Sequence, residues 1–316
     1  MTPRSEAALL GLGRMGQAVA ERLLDSGHRL TVWNRSPEAS ARLSHRGARP
    51  VVAPGDVWSE APIAITFLAD DNAVEMVCLE PEGLLTAPHP GRILVEMSTI
   101  SAECSARIAA RATQSGVRYL RAPVSGNPSV VRAGNLSIIV SGDRRTYEDA
   151  LPLLSAIGPK IFHVGETEEA RIVKLALNAM IAGTMGLLAE AIVLSEAFGL
   201  DRRQFLEVVQ GSAIGSPFVG YKMQPLIDRD YTATFSTTGM AKDLGLTLDA
   251  AATALVSLPV TALVSDQLRL AETLGLGELD MLTLLPVLQD RAGRPTDVPG
   301  VGRLGTSTSD AVRAPR

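Results

Sequence analysis

Lys174 and Asn178 stand four residues apart in an otherwise apolar stretch. That spacing places an amine and an amide on one face of a helix. An amine can carry a proton, and an amide can hold a polar group beside it. A lysine among apolar residues is costly to bury without a task, although at a helix start its stem can also reach water. Ala122-Pro123-Val124-Ser125-Gly126 forms a second cluster. A Ser–Gly turn at the carboxyl end of a strand offers a hydroxyl and backbone N–H groups, a pattern suited to a carboxylate. The third cluster is Gly11-Leu12-Gly13-Arg14-Met15-Gly16, which follows a strand pattern and opens a helix pattern. In that context GxGxxG is a dinucleotide fingerprint. The first glycine allows a tight turn, the second lets backbone approach a pyrophosphate, and the third lets helix and strand pack closely. The helix N-terminus adds free N–H donors.

The end of the next strand selects the dinucleotide. NAD-binding chains place Asp or Glu there, about 20 residues on, to hold the ribose hydroxyls. This chain carries Asn34-Arg35-Ser36. The planar fork of Arg35 suits a 2′-phosphate, and Asn34 and Ser36 add neutral donors. The sequence therefore predicts NADP, with NAD possible.

Alternating strands and helices must position these groups. Short apolar runs at Ala7–Leu10, Leu30–Trp33, Ile63–Leu68, Ile93–Glu96 and Tyr119–Ala122 alternate with helix patterns at Arg14–Ser26, Ser36 to about Gly47, 71–78 and 101–115. Such alternation predicts a doubly wound parallel sheet with helices on both faces, an α/β Rossmann arrangement. Asn135–Ser141 and Ile161–Val164 read as strands of its far edge. From about Glu166 the pattern turns all-helical. Glu168–Phe198 reads as one long helix, apolar nearly all round and so buried by its neighbours. Helices follow at about 202–210, 218–227, 240–257, 261–274 and 280–289. The predicted organisation is a dinucleotide-binding domain over 1–165, a helical substrate and dimerisation domain over 166–290, and a flexible tail over 291–316.

Composition sets the outer bounds. With 46% hydrophobic and 20% charged residues, the 316-residue chain is not of the disordered class. A net charge of −4 and 4% aromatics argue against nucleic-acid or anionic-membrane binding. Two cysteines and four scattered histidines predict neither a disulfide framework nor a metal site. A polar opening and an apolar run of only Leu175–Ala189 predict no membrane span and a cytoplasmic location.

The chain resembles the β-hydroxyacid dehydrogenase family, which includes 3-hydroxyisobutyrate dehydrogenase and tartronate semialdehyde and glyoxylate reductases, within the 6-phosphogluconate dehydrogenase superfamily. GLGRMG at 11–16, VWNRS at 32–36, EMSTIS at 96–101, APVSG at 122–126, the Lys174/Asn178 pair and MAKDLGLTLDAA at 240–251 carry the resemblance, which spans roughly residues 6–290. It implies that Lys174 is the catalytic lysine and that Asn178 helps hold the substrate. Ser125, Gly126 and Asn127 become the substrate-carboxylate segment, and Lys242 lines the cofactor and substrate site. Leu68, Ala69 and Thr99 fall beside the nicotinamide end, and Ala73 joins the cofactor-binding residues. The resemblance also implies a homodimer or homotetramer built through the helical domain.

Four positions depart from the family pattern. Asn127 replaces a second glycine, Arg121 an aspartate, Leu177 the first of two asparagines, and Ala69 a proline. Asn127 and Leu177 reshape the pocket expected for the substrate, and Arg121 suggests an extra anionic group on it.

The implied reaction moves a hydride between a nicotinamide and a carbonyl carbon of a small β-hydroxy acid or its aldehyde acid. Lys174 gives the oxygen a proton in one direction and takes it in the other. A free lysine is a poor base at neutral pH, and a cationic ring held about 4 Å away favours release of its proton. Two other readings stay open. Imine reductases share the GLGxMG and VWNR blocks but usually lack the lysine, and a non-catalytic NADP-binding protein would keep the fingerprint alone.

Overall fold

The computed structural model describes residues 6–298. They form two compact units, one reaching to Leu177 and including Asp249–Val256, the other made of Asn178–Leu248 and residues from Ser257 onward. The division falls inside the long helix, about a dozen residues beyond the expected boundary at 165, because the helix's first turns pack with the sheet unit.

The first unit is built on a nine-stranded sheet. Six strands are mutually parallel: β1 (Glu6–Leu10), β2 (Arg29–Trp33), β3 (Arg49–Pro50), β4 (Ile63–Thr66), β5 (Ile93–Glu96) and β6 (Arg118–Arg121). Their spatial order, β3-β2-β1-β4-β5-β6, is the doubly wound order of dinucleotide-binding folds. Helices α1 (Arg14–Asp25), α2 (Pro37–Ser44), α3 (Asp71–Leu79) and α4 (Ala102–Gln114) lie between them in sequence. Strand side chains alternate between faces. Leu9, Ile65 and Val95 therefore join one core with Val19 and Leu23, while Leu10, Ala64 and Leu94 join another with Trp58 and Ile108.

Beyond β6 the sheet departs from the expected all-parallel arrangement. β7 (Val124–Ser125), α5 (Pro128–Arg132), β8 (Ser137–Ser141), α6 (Arg144–Ile157) and β9 (Lys160–Gly165) complete the unit. β8 runs antiparallel to both β6 and β7, and β9 runs parallel to β8. Parallel neighbours require a crossover. Helix α6 supplies it between β8 and β9, and the sequence pattern had shown no helix there. Asp143 caps α6 by accepting from the Thr146 N–H at 2.8 Å, and Tyr147, Ala150, Leu154 and Ile157 bury one face. Pro152 inside the helix disguises that period.

The second unit contains most of α7 (Glu169–Ala197), then α8 (Arg202–Gly211), α9 (Pro217–Asp228), α10 (Thr237–Thr253), α11 (Pro259–Thr273) and α12 (Leu284–Arg291). By length and composition alone α7 could cross a membrane. Its Ala182, Met185, Ala189 and Ile192 are fully buried in the unit's core, as in a core helix. The expectation that α7 is buried all round does not hold, since Met180, Leu187 and Leu194 are 69%, 66% and 62% exposed.

Ordered structure also continues into the segment expected to be a flexible tail. Arg291 closes α12, and the Asp297 carboxylate accepts from Arg202 at 2.5 Å, Tyr231 at 2.9 Å and Gln289 at 3.2 Å. Burial opposes the charge on Asp297, but the Arg202 guanidinium outweighs it and holds the carboxyl below the usual range. Residues 299–316 of that tail lie outside the described residues.

Candidate functional site

The glycine turn sits at the carboxyl end of β1. Gly11 has φ +94°, and a Cβ there would meet the Phe67 carbonyl oxygen at 2.3 Å. A Cβ on Gly16 would meet the Gly11 carbonyl oxygen at 2.0 Å. Both are glycine because the β1–α1 turn closes on itself and on the end of β4. Gly13 differs: it is exposed at the N-cap of α1, and a Cβ would meet nothing within 4 Å. Open space in front of bare backbone at a helix N-terminus fits a pyrophosphate. Leu12 is buried, Met15 is half-buried against the core, and Arg14 is exposed.

Asn34 sits at the end of β2, beside the glycine turn. Its Oδ1 accepts from the Leu12 N–H at 2.9 Å and its Nδ2 donates to the Ser36 carbonyl at 2.9 Å. The side chain thus ties the end of β2 to the glycine turn. Arg35 and Ser36 are exposed next to it, and among the described residues no hydrogen bond or ion pair engages the Arg35 guanidinium. Ser36 occupies the N-cap position of α2 without a side-chain cap bond.

On the other side of β1, the Leu68 N–H donates to Ser98 Oγ at 2.8 Å, and the Leu68 side chain lies against Gly11. Ala69 is exposed, and the Ala73 N–H is held by the α3 cap Asp70 at 2.8 Å. Ser98, Thr99, Ile100, Pro123, Arg171, Lys174 and Leu175 line a shallow, open cleft. It opens beyond the carboxyl ends of β5 and β6, where open α/β sheets take ligands. Lys174 enters it half-buried from the second turn of α7.

Of the Ala122–Gly126 segment, Pro123 lines the cleft. Ser125 is not in a turn; it lies in β7, in register with Ser137 of β8. Gly126, at φ +145°, turns the chain into α5. Asn127 caps that helix, its Oδ1 accepting from the Val130 N–H at 3.1 Å and Ser129 Oγ at 2.6 Å. Arg121 does not present a free cation for a second anionic group. It is buried, bonded to Glu168 at 2.7 Å, and stacked 4.8 Å from the Tyr119 ring centroid.

In the second unit, Asn178 Nδ2 donates to Asp243 Oδ2 at 2.6 Å, and Lys242 Nζ faces Asp243 Oδ1 at 2.9 Å. Asp243 thereby joins two residues selected from the sequence, yet it was itself missed. Its signal was present: a carboxylate on a buried helical face, four residues before Thr247, whose hydroxyl bonds the Asp243 carbonyl at 2.7 Å.

Residues 6–165 match the family described as the NAD binding domain of 6-phosphogluconate dehydrogenase. Residues 169–288 match that described as the NAD-binding of NADP-dependent 3-hydroxyisobutyrate dehydrogenase. The chain belongs to the β-hydroxyacid dehydrogenase family. As a member it is an NAD(P)-dependent oxidoreductase acting on CH–OH groups. It is 30% identical to glyoxylate/succinic semialdehyde reductase 1 of Arabidopsis thaliana over 284 residues, which is 90% of this chain and 98% of that one. The structure of a Mycobacterium tuberculosis 3-hydroxyisobutyrate dehydrogenase with L-serine superposes with a TM-score of 0.80 at 28% identity, covering 90% of this chain and 99% of the other. An imine reductase from a Pseudomonas species, at 25% identity and coverages of 90% and 99%, reaches a TM-score of only 0.62.

Proposed function

We propose that this dehydrogenase prefers NADP and moves a hydride between it and a small β-hydroxy acid or the matching aldehyde acid, as a 3-hydroxyisobutyrate dehydrogenase does. The cleft that gathers Lys174 with Ser98, Thr99 and Pro123 at the sheet's carboxyl edge carries this reading. When bound, the nicotinamide supplies or accepts the hydride. Gly13 and the first turn of α1 hold the pyrophosphate, and Arg35 holds the 2′-phosphate. Lys174 Nζ gives a proton to the substrate oxygen in reduction and takes it in oxidation. Ser125 and Gly126 serve the carboxylate.

The test is oxidation of a panel of small 3-hydroxy acids with NADP⁺ and NAD⁺, followed at the absorbance of the reduced nicotinamide. Turnover of one of these acids supports the reading. NADPH binding without turnover of any acid, but with reduction of cyclic imines, replaces it with the imine reductase reading. Binding with no turnover of either class leaves a cofactor-binding protein.

Arg35→Asp should lower the preference for NADPH over NADH at least about tenfold, since a lost charge-assisted contact costs roughly 1.5–3 kcal/mol. Isothermal titration with both nucleotides measures this. Equal affinity of the unmodified protein for the two overturns the NADP assignment.

The same proposal includes a homo-oligomer formed through the second unit. Met180, Leu187 and Leu194 recur every seven residues on α7 as an exposed apolar stripe, an unusual surface for a lone chain. Analytical ultracentrifugation should give a dimer or tetramer, and Leu187→Glu with Leu194→Glu should shift it to monomer. A monomeric unmodified protein would remove the proposal. The buried free thiols Cys78 and Cys104 agree with a reducing, cytoplasmic setting.

A further inference from the structure

Behind the cleft lies a cluster of buried charges that the proposed reaction does not use. Arg171 is 2% exposed, and Glu96 is fully buried. Arg171 Nη2 donates to Glu96 Oε2 at 2.5 Å and to the Tyr119 hydroxyl at 3.0 Å. Nη1 donates to the Ser98 carbonyl at 3.3 Å, and Nε faces Glu168 Oε2 at 3.3 Å. Glu168 is paired in turn with Arg121. Two carboxylates and two guanidinium groups balance, so the cluster adds no net charge beside Lys174. Burial opposes the Arg171 charge, but the Glu96 and Glu168 carboxylates outweigh it and hold the guanidinium above its ordinary pKa. Burial likewise pushes the Tyr119 phenol up, so it stays a neutral hydrogen-bonding group.

A buried ion pair is often no more stabilising than apolar residues of the same volume. What this one does is mechanical. Glu96 Oε1 accepts from the Ser98 N–H at 2.6 Å while Arg171 grips the Ser98 carbonyl, so the pair clamps both sides of one residue. Ser98 Oγ in turn holds the Leu68 N–H at 2.8 Å. Arg171 lies three residues before Lys174, on the same helix and along the same cleft. The chain of bonds therefore runs from the helix carrying Lys174, through Ser98, to the loop lying against Gly11.

We propose that Arg171, acting with Glu96, is a positioning residue that fixes the Lys174 turn of α7 against the Ser98–Thr99 loop. The proposal rests on the reading of Lys174 as the proton carrier. A misplacement of about 1 Å can cost roughly 100-fold in rate.

Three variants test it: Arg171→Met, Glu96→Gln, and the double variant carrying both. Each single variant leaves a buried partner uncompensated and loses thermal stability. The double variant removes both charges and regains much of the melting temperature. In that refolded double variant, kcat should stay about 10- to 100-fold down with the KM for NADP⁺ unchanged. Amide hydrogen exchange over 97–100 and 171–175 should rise at least about tenfold. A double variant with full kcat and unchanged exchange overturns the proposal, because the pair then only neutralises itself. If the unmodified enzyme oxidises no hydroxy acid, the functional reading fails separately. The exchange data still decide whether Arg171 holds the loop.

Discussion

Lys174→Ala should lose at least about 100-fold in turnover, the usual contribution of a positioned acid–base group, while its dissociation constant for NADPH stays within about twofold. Lys174 is only half-buried on the wall of the cleft, so an alanine there opens no closed cavity in the core. The melting temperature should hardly move, and the loss then reports on chemistry rather than folding. Lys174→Arg sharpens the test. It keeps the positive charge and much of the length, but a guanidinium does not give up its proton in a protein. It should be as inactive as the alanine variant in oxidation. The measurement is steady-state oxidation of the best hydroxy acid across a pH series, with nucleotide affinity measured in parallel. Near-normal kcat in either variant removes Lys174 from the proton-carrying role.

Asp280→Ala should destabilise the helical unit by about 3–5 kcal/mol, the cost of stranding a buried charge. Asp280 and Lys222 are 1% and 3% exposed. Lys222 Nζ donates to both Asp280 oxygens, at 2.7 and 2.8 Å. The same carboxylate also accepts from the Thr234 N–H at 2.8 Å, Thr234 Oγ1 at 2.9 Å and the Phe235 N–H at 3.2 Å. Alanine strips the carboxylate from a buried ammonium, which keeps only the Thr234 hydroxyl, and from three backbone donors, the N–H groups of Thr234, Phe235 and Leu282. At roughly 2–4 °C per kcal/mol, the melting temperature should fall by about 10 °C. Circular dichroism melts measure the fall, and adding Lys222→Met to the variant should recover part of it. A drop under about 2 °C would mean that Lys222 finds another partner or reaches water.

The glycine fingerprint was legible because its reasons are local. The 2.0 Å approach at Gly16 is to Gly11, within the turn itself, so types and spacing carry it, whereas the Phe67 carbonyl that crowds Gly11 comes from the end of β4. The six parallel strands and their helices were legible for the same reason, since periodicity reports which faces of an element must be covered. Comparable logic picked out Lys174, a charge in an apolar run, though not what it would meet.

Partner choice was not legible. Asn34 Oδ1 accepts from the Leu12 N–H, 22 residues away, which the sequence pattern did not show. Asn178 meets Asp243 across 65 residues, and Arg171 meets Glu96 across 75. The antiparallel β8 and its α6 crossover lay equally beyond the pattern, as did the exposed stripe on α7. An element's own period says that a face needs covering and nothing about what covers it. By itself, then, the amino-acid sequence determined the nucleotide turn, the strand–helix alternation and the candidate lysine. Tertiary structure alone decided which buried charges pair and which loops they clamp. Those bonds form only when packing brings distant segments into a low-dielectric interior where an unpaired charge is intolerable.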